Sequence, residues 1–322
     1  MTKLQLPPQL AADLQQVEQR VLERTRTRAA VISVAGSRLL RPSEPHDEAH
    51  PQRLRAALVL LAAAAGDYQG ERVLHAAVAA ELIYAATQTH YALVDEAGRR
   101  RGQPSSGEWG HGVALMVGDY LFALAAGEMA LAPDPRVISF YCQAVMRFTE
   151  STLAPPPPLQ PLDTARAAYL ERIGGTVGAL TAAACMAGGA CAGVGPQELE
   201  ALGRFGHTLG LALQVGDEIR DLTATNNDEP PGALMWAGVL TLPLIYAINA
   251  GDGPRLQAAL DSREPDELAW AVAEVARHGI APARAEVARL ADQARDALAS
   301  FPPASRALLA AADYAVSRAS AP

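Results

Sequence analysis

Apolar residues recur at spacings of three and four along most of the chain, which places them on one face of an α-helix. Runs of alternating β-branched residues, typical of strands, are nearly absent. We therefore expect an all-α fold. The predicted helices span Leu10–Ala29, Leu54–Ala65, Arg72–Asp95, Gly112–Leu131, Val137–Leu153, Thr164–Gly189, Pro196–Asp221, Val239–Asn249, Asp266–His278, Ala281–Ser300 and Ser305–Ser317.

Segments rich in proline, glycine and polar residues separate the predicted helices. They are Arg41–Pro51, Gly98–Glu108, Ala154–Pro161, Asn226–Gly232 and Gly251–Pro254. None is long enough to link two domains, so we expect residues 1–322 to form one helical domain. The stretches Leu74–Ala86 and Thr176–Ala190 are apolar on nearly every side, which indicates central helices surrounded by others. A ligand is expected in an apolar cavity between such helices.

Composition and charge narrow the class of protein. Half of the 322 residues are hydrophobic, which is enough for a large core. A formal net charge of −8 argues against nucleic-acid binding, because a polyanion requires a positive field. The cysteines Cys142, Cys185 and Cys191 lack the paired spacing of metal or disulfide sites. No signal-peptide pattern and no uninterrupted membrane-length apolar stretch stand out, so we expect a cytoplasmic protein without a membrane span.

The segment FGHTLGLALQVGDEIRD, residues 205–221, carries the most informative group of charged residues. Asp217 and Asp221 are four residues apart, so their carboxylates lie on one side of a helix, roughly 5–6 Å apart, with Glu218 beside them. Oxygen ligands at this spacing suit a hard cation such as Mg²⁺. An acidic triplet on a helix is commonly just a solvated face. The preceding LGLALQV is apolar except for one amide, which favours a partly buried site.

This segment, followed by TLPLIYA at Thr241–Ala247, resembles the second aspartate-rich region of the trans-isoprenyl diphosphate synthase family. Further family landmarks follow in order: QRLRAALVLLAA at Gln52–Ala63, ELIYAATQTHYALVDEAGRRRGQP at Glu81–Pro104, MVGDYLFA at Met116–Ala123, YLERIGGTVGAL at Tyr169–Leu180 and FPPASRALLAAADYAVSR at Phe301–Arg318. The resemblance covers nearly the whole chain. It implies a helical bundle of isoprenoid synthase type around a central apolar cavity, dimerisation, and condensation of an allylic diphosphate with isopentenyl diphosphate.

The resemblance also implies roles for individual residues. In the family, acidic side chains hold Mg²⁺ ions that bind the allylic diphosphate, and basic side chains hold the phosphates. The positions that match metal ligands are Asp95, Asp217, Glu218 and Asp221. The positions that match diphosphate-binding residues are Arg53, Arg55, Arg100, Arg101, Thr176 and Gln214. The residues expected at the cavity are Ala86, Thr87, His90 and Tyr91.

The chain departs from the family pattern at positions that carry the chemistry. The first aspartate-rich region should read HDDxxD, whereas residues 90–95 read HYALVD. The lysines that bind phosphate in the family correspond to the neutral residues Gln52, Gly175 and Val239. Each charge-assisted contact to a phosphate contributes roughly 1.5–3 kcal/mol, so these losses together weaken binding by on the order of 5–9 kcal/mol. We therefore name no catalytic residue.

Three functions remain open. The first is a weak or inactive family member that acts as a partner or regulatory subunit, in a homodimer or in a heterodimer with an intact synthase. The second is an active Mg²⁺-dependent prenyltransferase, or an enzyme that ionises diphosphates as terpene synthases do, using the second acidic region. The third is a module that binds an isoprenyl diphosphate or a prenyl chain without turnover. We favour the first, because the helix pattern is retained while the site residues are replaced.

Overall fold

The structure is a computed structural model that describes residues 4–27, 53–99, 111–223, 231–301 and 306–320. Within these ranges every regular element is helical and no strand occurs, which confirms the all-α prediction. Helices α1 to α13 span Pro8–Thr25, Leu54–Ala63, Gly70–Arg99, His111–Leu131, Arg136–Leu153, Leu162–Ile173, Ala179–Cys191, Pro196–Thr223, Ala233–Trp236, Leu242–Ala250, Gly253–Ser262, Pro265–Ala297 and Arg306–Ser320. A π-helical turn, Gly174–Gly178, joins α6 to α7.

The core forms where apolar helices pack without a solvent face. In α2, every residue from Ala56 to Ala63 is at most 1% exposed. This helix packs against α7, where a β-carbon on Gly188 would overlap the carbonyl oxygen of Val59. Glycine at position 188 therefore allows the two backbones to touch. The predicted central helices are confirmed, since α3 and α7 are buried along most of the stretches named above.

Two predictions about the continuity of helices were wrong. Asp266–His278 and Ala281–Ser300 belong to one continuous helix, α12, which contains Pro282. Apolar residues on both sides of the proline, such as Val275 and Val287, are buried against the core, and this packing outweighs the helix-breaking tendency of proline. The predicted helix Thr164–Gly189 is interrupted by the π-helical turn.

Two helices were missed, the short α9 and α11, and the first turn of α11 resembles a break. The segment Gly251–Pro254 was expected to separate helices, but α11 begins within it. Asp252 caps this helix by accepting a hydrogen bond of 3.1 Å from the backbone N–H of Arg255. Pro254 lies in the first turn, where its missing N–H costs nothing.

Several large apolar side chains of α4 and α5 are exposed. Met116 is 65% exposed and Leu153 is 66% exposed. The α4 stretch Gly112–Leu131 is long and apolar enough to cross a membrane by length and composition, and so is Leu162–Cys191. The second stretch is a core segment, with 72% of its most apolar window buried, whereas that figure is 33% for the first. Of these two stretches, the one in α4 therefore leaves more of its apolar surface exposed.

Candidate functional site

The second acidic region lies near the C-terminal end of α8, where the sequence predicted it. The helix carries the acids out of a buried stretch, because Leu209 to Leu213 are all at most 7% exposed. The side chains of Asp217, Glu218 and Asp221 then contact different partners within the chain.

Glu218 is buried, with 2% exposure. One of its oxygens accepts a hydrogen bond of 2.9 Å from the backbone N–H of Leu242, at the start of α10. The other accepts from the Tyr169 hydroxyl of α6 and, at 3.1 Å, from the side-chain amide of Gln214. Burial raises the pKa of Glu218 to about 7, although the three donors act in the opposite direction.

Asp217 and Asp221 bind to elements on other sides of α8. An oxygen of Asp217 accepts from the guanidinium of Arg318 in α13, whose side chain is only 10% exposed. Arg318 also donates to the Tyr314 hydroxyl at 3.0 Å. Both oxygens of Asp221 lie 3.2 Å from the backbone N–H of Leu234, at the start of α9.

The three acids predicted to hold Mg²⁺ do not converge on one point in this arrangement. Among the residues that the structure describes, no three His, Cys, Asp or Glu side chains are placed to hold a metal ion together. Glu218 faces the core, whereas the side chain of Asp217 is 47% exposed and paired with a cation. Asp95 lies in α3, but its side chain is outside the described part, so its predicted role stays a prediction.

The predicted diphosphate-binding residues that the structure describes have partners of their own. Arg53 is 7% exposed and its Nε lies 3.6 Å from Glu18 of α1. The guanidinium of Arg55 stacks 3.2 Å from the centre of the Tyr84 ring, a cation–π contact.

The other predicted phosphate ligands are Thr176, Gln214, Arg100 and Arg101. Thr176 donates to carbonyl oxygens of the preceding turn at 3.3 Å. Of these residues, Gln214 is the one that the structure brings to an acid of the second region. Arg100 and Arg101 lie outside the described residues.

The first region forms the wall of a small apolar pocket of about 140 Å³. Its lining residues are Thr87, His90, Tyr91, Phe122, Val145, Phe148, Thr149, Thr152 and Leu153. Ala86, also expected at the cavity, is fully buried and is not part of this lining. An engineered apolar cavity of ~150 Å³ in another protein holds benzene, so this pocket has room for about one five-carbon isoprene unit.

His90 and Tyr91 are held by packing within the helical bundle. The His90 Nε2 lies 3.2 Å from the carbonyl oxygen of Leu115 and 3.4 Å from an oxygen of Asp119. This approach requires Gly118, since a β-carbon there would overlap the His90 ring. Tyr91 contacts Phe148 edge to face, with ring centres 6.4 Å apart. His90 and Tyr91 therefore form part of the pocket wall.

Gly175 lies in the π-helical turn between α6 and α7. A β-carbon at this position would overlap the hydroxyl oxygen of Ser151 in α5. A second, more polar pocket of about 420 Å³ opens beside it. Its charged lining residues are Arg147, Glu150, Glu171 and Arg172, so the opposite charges balance. A larger residue at 175 would therefore require the Ser151 side chain to move.

Sequence reasoning missed that Glu218 faces inward, although a signal was present. Val215, Ile219 and Leu222 are at most 6% exposed, and they define the core-facing stripe of this part of α8. Glu218 is three residues from Val215 and four from Leu222, so helical spacing places it on the same stripe. Its partner Tyr169 and the Asp217 partner Arg318 lie in other helices, and no local spacing connects them.

The comparisons with known proteins agree with the fold. Residues 38–275 match the polyprenyl synthetase family. The heptaprenyl diphosphate synthase component 2 of Geobacillus stearothermophilus is 31% identical over 275 residues, which cover 83% of each chain. The nonaprenyl diphosphate synthase of Mycobacterium tuberculosis is 35% identical over 284 residues, again 83% of each.

A solved structure extends the likeness to the three-dimensional fold. The polyprenyl synthase of Caulobacter crescentus, crystallised with calcium and isoprenyl diphosphate, is 29% identical to this chain. It superposes with a TM-score of 0.80 over 96% of this chain and 95% of its own. The isoprenoid synthase fold expected from the sequence is thereby confirmed. The chain belongs to the polyprenyl synthetase family.

Proposed function

We propose that this chain is a partner subunit of a prenyl diphosphate synthase and does not itself catalyse condensation at a useful rate. The observation that carries the proposal is the engagement of the second acidic region. Asp217, Glu218 and Asp221 all accept hydrogen bonds from donors of the same chain, and Glu218 is buried. Carboxylates arranged in this way are poor ligands for the cations that must balance a departing diphosphate.

The replaced basic residues support the same proposal. The lysine positions of the family hold Gln52, Gly175 and Val239, and none of these side chains carries a charge. Their loss corresponds to on the order of 5–9 kcal/mol of phosphate binding, or about four to six decades in rate if all of it stabilises the transition state. Arg55 does not compensate in this structure, because its guanidinium stacks on Tyr84.

The outer side of α4 supports a subunit contact. Its exposed residues recur at spacings of three and four and include Met116, Ala123, Ala126 and Ala130. Asp119 is the charged residue among them. A helix face in contact with water is normally rich in charge, and an exposed apolar surface marks an interaction site. We propose that a second, intact synthase chain of this family covers it, in the cytoplasm.

One relative's name is consistent with a multi-component enzyme, since the Geobacillus stearothermophilus protein is called component 2. The pocket bounded by His90 and Tyr91 is consistent with binding of a small apolar ligand. Among the described residues, its volume of about 140 Å³ suits a short prenyl group.

The proposal is tested with purified chain, Mg²⁺, isopentenyl diphosphate and radiolabelled allylic diphosphates of several lengths. We expect no product above background from this chain alone, with a synthase that carries both complete acidic regions as the positive control. Elongation at the rate of that control would overturn the proposal.

The subunit contact is tested by adding an intact synthase from the same cell and measuring mass by light scattering after size-exclusion chromatography. We expect a heterodimer whose product length or rate differs from that of the synthase alone. Ala126→Glu should abolish this complex, because it places a charge on the α4 surface. The matched control is Ala269→Glu, at an exposed position of α12, which should leave the complex intact. Equal complex formation by both variants would refute the assigned surface.

A further inference from the structure

We infer that the second acidic region of this chain is a structural clamp between helices rather than a metal site. The inference deepens the proposed function, which it rests on, by giving the retained acids a purpose. It concerns stability in the absence of any metal, so it can be tested without substrate and without a partner subunit.

The acids connect α8 to elements that are distant in sequence. Glu218 ties α8 to α6 through Tyr169 and to the first turn of α10 through the N–H of Leu242. The helix α10 has an otherwise unpaired N–H at this position, as every helix start does. Its capping residue Thr241 accepts from Leu244 instead, at 3.4 Å. The Glu218 carboxylate thus accepts a hydrogen bond from the Leu242 N–H, which has no acceptor within the first turn of α10.

Asp217 and Asp221 extend the clamp on the other side of α8. Asp221 accepts from the N–H of Leu234 at the start of the short helix α9, and the N–H of Gly232 donates to the Asp221 carbonyl oxygen at 2.7 Å. Asp217 holds the C-terminal helix α13 through Arg318. The Arg318 side chain is 10% exposed, so its charge needs this partner more than a surface arginine would.

When no metal is present, the two interpretations predict opposite effects on stability for a substitution that neutralises a carboxylate. In an empty metal site, clustered carboxylates repel one another, so neutralising one of them stabilises the protein. In a clamp, Asp217 meets a cation and Asp221 meets an N–H donor, so neutralising either of these two acids removes a favourable contact. Their partners are the guanidinium of Arg318 and the backbone N–H of Leu234, and both favour a charged acceptor.

The experiment measures the melting temperature in EDTA for the full chain and for Asp217→Asn, Asp221→Ala and Arg318→Met. The clamp predicts that each variant melts lower than the wild type, by roughly 1–3 °C, and that Asp217→Asn combined with Arg318→Met loses less than the sum. Glu200→Gln is the control, because Glu200 is exposed on the same helix. It should melt within error of the wild type.

A second measurement adds Mg²⁺ with inorganic pyrophosphate to the wild type. The clamp predicts an unchanged melting temperature. A rise in the wild type that disappears in Asp217→Asn, or a higher melting temperature of Asp217→Asn in EDTA, would overturn the inference. Formation of prenyl product by the isolated chain would count against the proposed function. The clamp, in contrast, is tested by the direction of the changes in melting temperature.

Discussion

The buried carboxyl of Glu218 makes the stability of the chain depend on pH in a defined direction. Burial raises its pKa from 4.5 in the unfolded chain to about 7 in the folded protein. The folded state therefore binds the proton more tightly, and the stabilisation is complete below pH 4.5. It is lost as the pH rises from 4.5 through 7. At 1.36 kcal/mol for each unit of pKa, the loss is about 3 kcal/mol.

The assay is urea unfolding of the wild type and of Glu218→Gln between pH 5 and pH 8 at constant ionic strength. Glutamine stays neutral at every pH, so the variant has no ionisable group at position 218. All other ionisable groups are the same in the two proteins. We expect the unfolding free energy of the wild type to fall relative to that of the variant by about 2–3 kcal/mol between pH 5 and pH 8, since part of the loss occurs below pH 5. A Glu200→Gln variant should run parallel to the wild type. If the unfolding free energy of the wild type instead rises relative to that of Glu218→Gln as the pH rises, the folded protein stabilises Glu218 as an anion. The reasoning from burial would then be wrong.

Two substitutions probe neighbouring contacts. Tyr169→Phe removes one donor to Glu218, and we expect denaturant unfolding to show a loss of about 1–3 kcal/mol that is smaller when Glu218→Gln is already present. Gly175→Lys introduces a positive charge, and we expect it to destabilise the fold by about 1–3 kcal/mol because its β-carbon meets Ser151. Adding Ser151→Gly should recover part of that loss, and the absence of any recovery would count against the proposed overlap.

Most helices were predictable because burial acts on every turn and leaves a repeated pattern. The spacing of residues identified α8 and placed Asp217 and Asp221 on one side of it. The same pattern could not identify the bonds that the acids form, since Arg318 is 101 residues from Asp217. Contacts of that kind are set by the packing of whole helices against one another.

Local signals also misled where packing opposed them. Pro282 indicates a helix end, yet α12 continues through it, because apolar residues on both sides are buried in the core. Asp252 and Pro254 indicate a break, yet together they start α11. The family resemblance gave the fold. It could not establish the roles of Asp217, Glu218 and Asp221, since a carboxylate is chemically able to meet either a cation or an N–H group.

The contact between Gly175 and Ser151 restricts how this chain can change. A β-carbon at 175 would overlap the hydroxyl oxygen of Ser151. A larger side chain at 175 is therefore expected to need a change at 151 as well. In chains that keep this π-helical turn, the residue types at the two positions should vary together.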